Sequence, residues 1–123
     1  MTRIALSVSL TLLLSANLHA QANFYQGKTV RLIAGFGAGS TDDAWSRLLA
    51  LYMAKHIPGN PNFIVQNMAG ASAMIAANYV YGVAKPDGLT LGGLRSGLYF
   101  DQLVRRKEVQ FDWRKFTWIG SPT

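Results

Sequence analysis

The 123-residue chain contains no cysteine, only two histidines and only six carboxylate side chains. Without cysteine it cannot form a disulfide, a thiolate zinc site or a cysteine nucleophile. The histidines, His19 and His56, stand far apart in the sequence. A metal cage or a histidine-based triad is therefore hard to assemble, and we expect no metal, no cofactor and no catalytic residue.

Charged residues are also scarce, at 15% of the chain against 50% for apolar residues. A disordered polyelectrolyte has the opposite composition, with low hydrophobicity and high charge. The length suits about one domain of the usual ~100–200 residues. The composition therefore predicts a folded chain with an apolar core.

The formal net charge of +6 raises the question of nucleic-acid binding. The basic residues are spread along the chain, however, and only Arg105, Arg106 and Lys107 form a run of three. No aromatic residue is interleaved with this run, whereas single-stranded nucleic acid binds on aromatic platforms. We expect no nucleic-acid partner, and the charge indicates a solvated surface that attracts anionic solutes.

The first twenty residues have the layout of a secretory signal peptide. Arg3 gives a positive start, residues 4–14 form an apolar run, and the small residue Ala20 precedes the expected cleavage point. The apolar run is shorter than the ~20 residues of a transmembrane helix. The alternatives are a membrane anchor or a buried helix. We expect a signal peptide over residues 1–20, export to the periplasm and a mature chain over residues 21–123.

Beyond the signal segment, strand patterns alternate with helix patterns. Residues 29–34 are mostly apolar and rich in β-branched side chains, as in a strand buried on both faces of a parallel sheet. The alternation predicts an α/β fold, an incomplete βαβαβα array wound into a parallel sheet by right-handed crossovers. The expected strands cover residues 29–34, 63–67, 89–94 and 117–119, and the expected helices begin near residues 42, 75 and 98.

The first helix carries a regular apolar pattern. Large apolar side chains recur at the i, i+3, i+4, i+7 spacing, and polar side chains occupy the other side. This pattern predicts an amphipathic helix. The apolar residues are Trp45, Leu48, Leu49 and Tyr52, and the polar residues are Ser46, Arg47 and Lys55.

Two loops of small residues, 37–41 and 69–72, follow the first two strands. In open α/β sheets, ligands bind beyond the carboxyl ends of the strands, where loops lead into helices. Glycine allows close approach of backbone N–H groups, and the following helix adds its positive end. The loops therefore suit a phosphate or carboxylate anion, with hydroxyl donors from Ser40, Thr41 and Ser72. The alternative is that they are only tight turns with capping residues.

Neither loop matches a dinucleotide-binding motif. Gly35 and Gly37 lack the third glycine of that fingerprint, because Ser40 stands in its place. The acidic residue expected about 20 positions later is replaced by Gln66 and Asn67. The sequence therefore disfavours a nucleotide site.

Asp43 opens the first helix and has Arg47 four positions later. This spacing alone predicts a surface ion pair worth about 0.3–0.5 kcal/mol. The functional interpretation is that Asp43 orders the preceding loop and accepts hydrogen bonds from a ligand hydroxyl or a bound water. Both interpretations remain open from the sequence.

Several longer segments, in order along the chain, resemble one known family. They are FYQGKTVRLIAGFGAG (24–39), DAWSRLLA (43–50), HIPGNP (56–61), VQNMAGA (65–71), IAANY (75–79), PDG (86–88) and FTWIG (116–120). Together they are similar to the start of the substrate-binding proteins of tripartite tricarboxylate transporters, the Bug family. The similarity covers essentially the whole mature chain.

The resemblance implies a two-lobed periplasmic binding protein that captures small, often carboxylate-bearing solutes and hands them to a membrane permease. Residues 21–123 would form part of the first lobe, since they resemble less than the first half of a full member. The family holds the ligand carboxylate with the loops after strands one and two, largely through backbone amides and ordered waters. The corresponding residues here are Phe36, Gly37, Ala38, Gly39, Ser40, Thr41, Asp43, Asn67, Gly70, Ala71 and Ser72.

The expected function is thus non-enzymatic capture of a small carboxylate solute, with the permease subunits of a transporter as partners. One alternative is a truncated product without a binding function. Another is an anion- or nucleotide-binding enzyme domain, which is disfavoured because no general base or metal site accompanies the loops.

Overall fold

A computed structural model of the chain describes residues 24–121. The signal peptide expected over residues 1–20 lies outside the described residues. Among residues 24–121, every helix falls short of the length and apolar character that a membrane span requires. The elements are β1 (Thr29–Ala34), α1 (Thr41–His56), β2 (Asn62–Asn67), a 3₁₀ turn (Ala71–Ala73), α2 (Met74–Gly82), β3 (Thr90–Gly93), α3 (Leu98–Leu103) and a second 3₁₀ turn (Trp113–Lys115).

The three strands form one parallel sheet in the order β2-β1-β3. β1 is central because its apolar side chains are buried on both faces, with Leu32 and Ile33 at 2% and 0% exposure. The predicted α/β fold with an incomplete parallel sheet is confirmed. Since β2 and β3 lie on opposite sides of β1, the chain reverses its winding direction at β1, and ligands bind α/β sheets at such a switch point.

The two long helices cover opposite faces of this sheet. A Cβ at Gly93 would lie 3.3 Å from the Ser46 hydroxyl of α1, whereas a Cβ at Gly35 would overlap the Cβ of Ala73, just before α2. Gly35 and Gly93 point to opposite faces, because Gly93 pairs with Ala34 in the register and side chains alternate along a strand. The result is a helix–sheet–helix arrangement.

The large apolar residues of α1 do not face the sheet, although in an amphipathic helix they usually face the core. Its buried residues are Asp43, Ser46 and Ala50, which are small or polar. Its large apolar residues point outward: Trp45, Leu48, Leu49 and Tyr52 are 44–53% exposed. The physical reason is the close approach of α1 to Gly93, which admits only short side chains, together with the hydrogen bond between Asp43 and Asn67 of β2.

A second cluster of apolar residues lies around α2. Met74, Ala77, Leu98 and Phe111 are buried together there, and partly buried residues of the C-terminal segment pack against them. Asn78 of α2 fixes this segment, since its amide donates to the Glu108 carbonyl at 2.9 Å and accepts from the Gln110 N–H at 3.0 Å. These contacts hold the segment against α2 without a strand.

The strand expected at residues 117–119 was a wrong prediction, because the structure assigns no regular element there. Trp118 packs instead on Trp113, with ring centroids 4.3 Å apart, and on Phe116 at 5.6 Å. No strand pairs with these residues in the described part of the chain. The aromatic residues of this segment therefore pack ring against ring and do not pair with a neighbouring strand.

Candidate functional site

Three loops leave the carboxyl edge of the sheet, and we number them by the strand that each follows. The first loop is residues 35–40, the second is residues 68–73 and the third is residues 94–97. Backbone hydrogen bonds join their starting points: Met68 N–H donates to the Ala34 carbonyl at 2.8 Å, and Gly35 N–H donates to the Gly93 carbonyl at 3.0 Å. The parallel register therefore brings both predicted ligand loops to one edge.

Asp43 is the buried polar centre of this edge, with 2% of its surface exposed. Its carboxylate accepts hydrogen bonds from the Gly39 backbone N–H at 2.8 Å, from Arg47 Nε at 3.0 Å and from Asn67 Nδ2 at 2.7 Å. Its own N–H donates to the Ser40 hydroxyl at 3.2 Å, which caps α1. Asp43 therefore orders the first loop and also forms the ion pair with Arg47. That it accepts a hydrogen bond from a ligand hydroxyl or a bound water stays a prediction.

Asn67, the last residue of β2, connects the first loop to α1. Its side-chain amide donates to the Phe36 carbonyl at 3.1 Å as well as to Asp43, while its oxygen accepts from Arg47 Nη2 at 3.0 Å. Sequence reasoning did not identify this second role of Arg47. The i, i+4 spacing predicts a contact with Asp43, but nothing in the local sequence points to a partner on β2.

The carboxyl group of Asp43 is held in its charged form. Hydrogen bonds from Arg47, Asn67 and the Gly39 N–H, in that order of importance, lower its pKa to about 2. A carboxylate that already accepts these bonds and resists protonation is poorly suited to act as a general base near neutral pH. Asp43 is therefore a structural anion whose charge Arg47 offsets.

The first loop presents unpaired backbone donors at the surface. Within the described residues, the N–H groups of Gly37 and Ala38 make no hydrogen bond, and both residues are exposed. Gly39 has a φ of +82°, and a Cβ there would meet nothing within 4 Å. The positive φ turns the Gly39 N–H toward Asp43 and leaves the two preceding N–H groups for a solute.

The second loop has an unusual backbone. Four consecutive residues have positive φ: Gly70 at 139°, Ala71 at 44°, Ser72 at 55° and Ala73 at 71°. Non-glycine residues pay roughly 1–2 kcal/mol each in this region. The N–H groups of Gly70, Ala71 and Ser72 form no hydrogen bond with the described part of the chain, so this loop also exposes amide donors.

Ala73 explains how this strained turn is held in place. It is 1% exposed, and a Cβ at Gly35 would overlap its side chain. The second loop passes against the start of the first loop, at Gly35 and Ala73, before it leads into α2 on the face of the sheet opposite α1. Close packing at this crossing stabilises the second loop, in contrast to the hydrogen bonds that stabilise the first.

Hydrogen bonds therefore link six of the predicted site residues, and the remaining ones are placed in the two loops or at the start of α1. The linked residues are Phe36, Gly37, Gly39, Ser40, Asp43 and Asn67; Ala38 also belongs to the first loop, Gly70, Ala71 and Ser72 belong to the second, and Thr41 begins α1. His56 ends α1, at the opposite end from the loops, as expected for a residue that interacts with the helix C-terminus.

The third loop brings one more charged group to the same edge. Arg95 is exposed, and it is the only charged side chain among the residues of the three loops. It forms no ion pair with the described residues, where the paired arginines are Arg47, Arg106 and Arg114. Together with the free N–H groups, Arg95 gives this edge a positive character.

The site contains no arrangement that would hold a metal ion. Within residues 24–121, no group of three histidine, cysteine, aspartate or glutamate side chains is close enough to bind one. The groups available at this edge are N–H donors, hydroxyl groups and one guanidinium. These groups suit the binding of an anion.

Comparison with known proteins gives one partial match. The chain is 38% identical to a UPF0065 protein of Bordetella bronchiseptica over 72 residues, which are 58% of this chain and 21% of that protein. The match thus spans about a fifth of the relative's length. No family model matches the chain. No solved structure matches it either. What these comparisons establish is similarity of part of this chain to a UPF0065 protein.

Proposed function

We propose that this chain is the N-terminal part of the first lobe of a periplasmic solute-binding protein of the Bug type. In this proposal it captures a small carboxylate solute for the permease subunits of a tripartite tricarboxylate-type transporter, without converting the solute chemically. Residues 1–20 direct export, and residues 21–123 belong to the first lobe.

The observation that carries the proposal is the set of unpaired N–H groups on two adjacent loops. Gly37 and Ala38 offer them on the first loop, and Gly70, Ala71 and Ser72 offer them on the second. Both loops precede helices, whose N-terminal ends favour a negative charge. A carboxylate has two acceptor oxygens, so it can bind donors from both loops at once.

The surroundings favour binding over catalysis. Asp43, the nearest carboxylate, is already hydrogen-bonded to three partners and has a pKa of about 2. His56 lies at the far end of α1 from the loops. No nucleophile–base pair is therefore available at this edge among the described residues, and an anion held there would be released unchanged.

The similarity to the Bordetella protein supports the same family, since UPF0065 designates the Bug family. The transporter, the permease partner and the periplasmic location come from this resemblance together with the N-terminal signal pattern. Export has a direct test: mass spectrometry of protein recovered from the periplasm is expected to show an N-terminus at Gln21 or Asn23. Intact Met1 in soluble cytoplasmic protein would contradict it.

Binding is tested by calorimetry on the complete gene product, titrated with a panel of dicarboxylates and aromatic acids. We expect saturable binding of at least one acid, recovered unchanged afterwards. Recovery of a chemically altered acid would favour the enzyme alternative. Absence of binding to every acid would favour a truncated product without a binding function.

A further inference from the structure

Arg47 of α1 contacts two residues of the candidate site at once. Its Nε donates to Asp43 Oδ2 and its Nη2 donates to Asn67 Oδ1, each at 3.0 Å. Asp43 lies one turn before Arg47 on the same helix, whereas Asn67 ends β2, twenty residues further along the chain. Because the guanidinium is planar and rigid, its donors keep a fixed spacing. Arg47 therefore fixes the positions of the Asp43 and Asn67 side chains relative to each other.

These two side chains hold the first loop at two separate points. Asp43 accepts the Gly39 N–H at 2.8 Å, and Asn67 donates to the Phe36 carbonyl at 3.1 Å. The two free N–H groups of the loop lie between these points along the chain. A single side chain on α1 is thus connected to both ends of the segment that presents the donors.

The side-chain amide of Asn67 has no donor left for a solute. Its two hydrogens are donated to Asp43 Oδ1 at 2.7 Å and to the Phe36 carbonyl at 3.1 Å. The hydrogen bond from Arg47 fixes this orientation of the amide, since a reversed amide would place its oxygen against two other oxygens. Because the peptide bond is planar and trans, the anchored Phe36 carbonyl directs the Gly37 N–H away from Asn67.

The alternative role for Arg47 is a surface ion pair with Asp43 and nothing more. The Arg47 side chain is 52% exposed, so its replacement leaves no buried cavity, and ion pairs this exposed contribute little to stability. An ion pair alone needs only a positive charge at this position, whereas a bridge to Asn67 also needs the second donor. The two roles therefore predict different results when the charge is kept and the second donor is removed.

We propose that Arg47 is a positioning residue of the anion site. It bridges Asp43 and Asn67, and through them it holds the first loop in the conformation that presents the free N–H groups of Gly37 and Ala38. The nature of the solute rests on the proposed function, whereas the bridge belongs to the chain without any solute.

Arg47→Lys in the complete gene product tests the bridge without a ligand. Lysine keeps the positive charge but replaces the planar fork of donors by one compact ammonium group. We expect the ¹⁵N heteronuclear NOE of the Gly37 and Ala38 amides to fall, which reports a less ordered loop. The urea midpoint and the circular dichroism spectrum are expected to stay close to those of wild type.

Arg106→Lys is the matched control. Arg106 pairs with Asp101 at 3.1 Å, and its side chain is 48% exposed, close to the value for Arg47. It follows α3 and belongs to none of the three loops. We expect this variant to leave the amides of the first loop unchanged.

A double-mutant cycle with Asn67→Ala tests whether Arg47 acts through Asn67. Asn67→Ala alone is expected to lower the same NOE values, because the Phe36 carbonyl loses its partner. Adding Arg47→Lys to Asn67→Ala is then expected to cause little further change, since residues that act through one contact are not additive. Additive effects of the two changes would mean that Arg47 does not act through Asn67 and would refute the bridge.

Calorimetry with succinate and with benzoate separates this proposal from the proposed function. For an acid that binds wild type, Arg47→Lys is expected to weaken affinity about tenfold, the scale of one lost hydrogen bond to a charged group. If neither acid binds wild type while the loop amides lose order in the variant, the proposed function fails for these acids and the positioning role is supported. Loop amides that keep their wild-type order in Arg47→Lys, or an acid that binds this variant as tightly as wild type, would overturn the proposal.

Discussion

The two candidate ligand loops lie side by side, yet they are stabilised in different ways. The first loop is held by polar contacts, since Asp43 accepts the Gly39 N–H at 2.8 Å and Asn67 donates to the Phe36 carbonyl at 3.1 Å. The second loop is held by packing, since the buried Ala73 fits against a glycine and its neighbours adopt positive φ without side-chain hydrogen bonds in the described chain.

This difference determines what each loop is sensitive to. A loop held by a carboxylate network depends on the charge of that carboxylate and therefore on pH. A loop held by close packing depends on the size of its neighbours and on backbone strain, and it is insensitive to pH. Variants that act on one mechanism and not on the other can therefore separate the loops experimentally.

The largest expected effect is on ligand binding by Gly39→Val in the complete gene product. Gly39 has a φ of +82°, which a β-branched residue avoids, so valine is expected to force the first loop out of the conformation that presents its N–H groups. We expect affinity for the carboxylate to fall at least ~100-fold, measured by calorimetry, while the protein remains folded.

A matched control exists at the opposite end of β1. Gly27 has a φ of +69°, and a Cβ there would also meet nothing within 4 Å. Gly27→Val introduces the same backbone strain away from the loops and is expected to leave affinity unchanged. Unchanged affinity for Gly39→Val would show that the first loop is only a turn.

The next effect concerns packing between the loops. Gly35→Ala places a methyl group against the buried Ala73, where there is no room for it. We expect the free energy of unfolding to fall by about 1–3 kcal/mol, the usual cost of overpacking. Gly37→Ala is the control, because a Cβ there has open space and is expected to change stability by less than ~0.5 kcal/mol. Equal effects in urea denaturation would contradict the crossing of the two loops.

Asp43→Asn tests whether the charge of the Asp43 carboxylate stabilises the first loop. The pKa of Asp43 is lowered from 3.8 to about 2 in the folded chain, so its stabilising contribution is present above about pH 4 and is lost as pH falls toward 2. We therefore expect the stability difference between wild type and variant to be constant from pH 7 to 5 and to shrink from pH 4 to 2. Affinity for a carboxylate is expected to fall about tenfold, since one set of loop contacts is perturbed.

Asp42→Asn provides the control for Asp43→Asn. It removes a charge from the same helix turn, but the Asp42 carboxylate makes no hydrogen bond or ion pair with the described residues. Urea midpoints measured between pH 7 and 2.5 compare the two variants. A difference for Asp43→Asn that persists unchanged to pH 2.5 would mean that its charge does not stabilise the first loop.

The smallest effect is expected at Ser72 in the second loop. Ser72 has φ and ψ of 55° and 47°, a left-handed conformation that glycine adopts without strain. Ser72→Gly is expected to raise the free energy of unfolding by about 0.5 kcal/mol, because the relieved strain exceeds the added entropy of the unfolded chain. Ser72→Ala should give no gain, and a loss of stability with glycine would refute the strain.

Local patterns predicted the elements of this fold well. Strand β1 matches its predicted range at both ends, because a β-branched apolar run bounded by glycine has few other outcomes. The small-residue loops fall where strand–loop–helix units require them. The prediction of site positions rested on family resemblance, however, and spacing alone left open whether the loops were only turns.

The failures have a common physical cause, which is that long-range packing overrides local pattern. The apolar stripe of α1 faces outward because the sheet contains glycine at the contact and accepts Ser46 and Ala50 instead. The bridge from Arg47 to Asn67 spans elements that only the parallel register brings together. No window of local sequence contains either piece of information.

The two loops are proposed to bind one carboxylate through their free N–H groups. Amide-resolved NMR of the ¹⁵N-labelled complete gene product, titrated with an acid that binds in calorimetry, tests it most directly. We predict saturable shifts with one common affinity for the amides of Gly37, Ala38, Gly70 and Ala71, and none for Gly27. Saturable binding that leaves the amides of both loops unperturbed would contradict the claim.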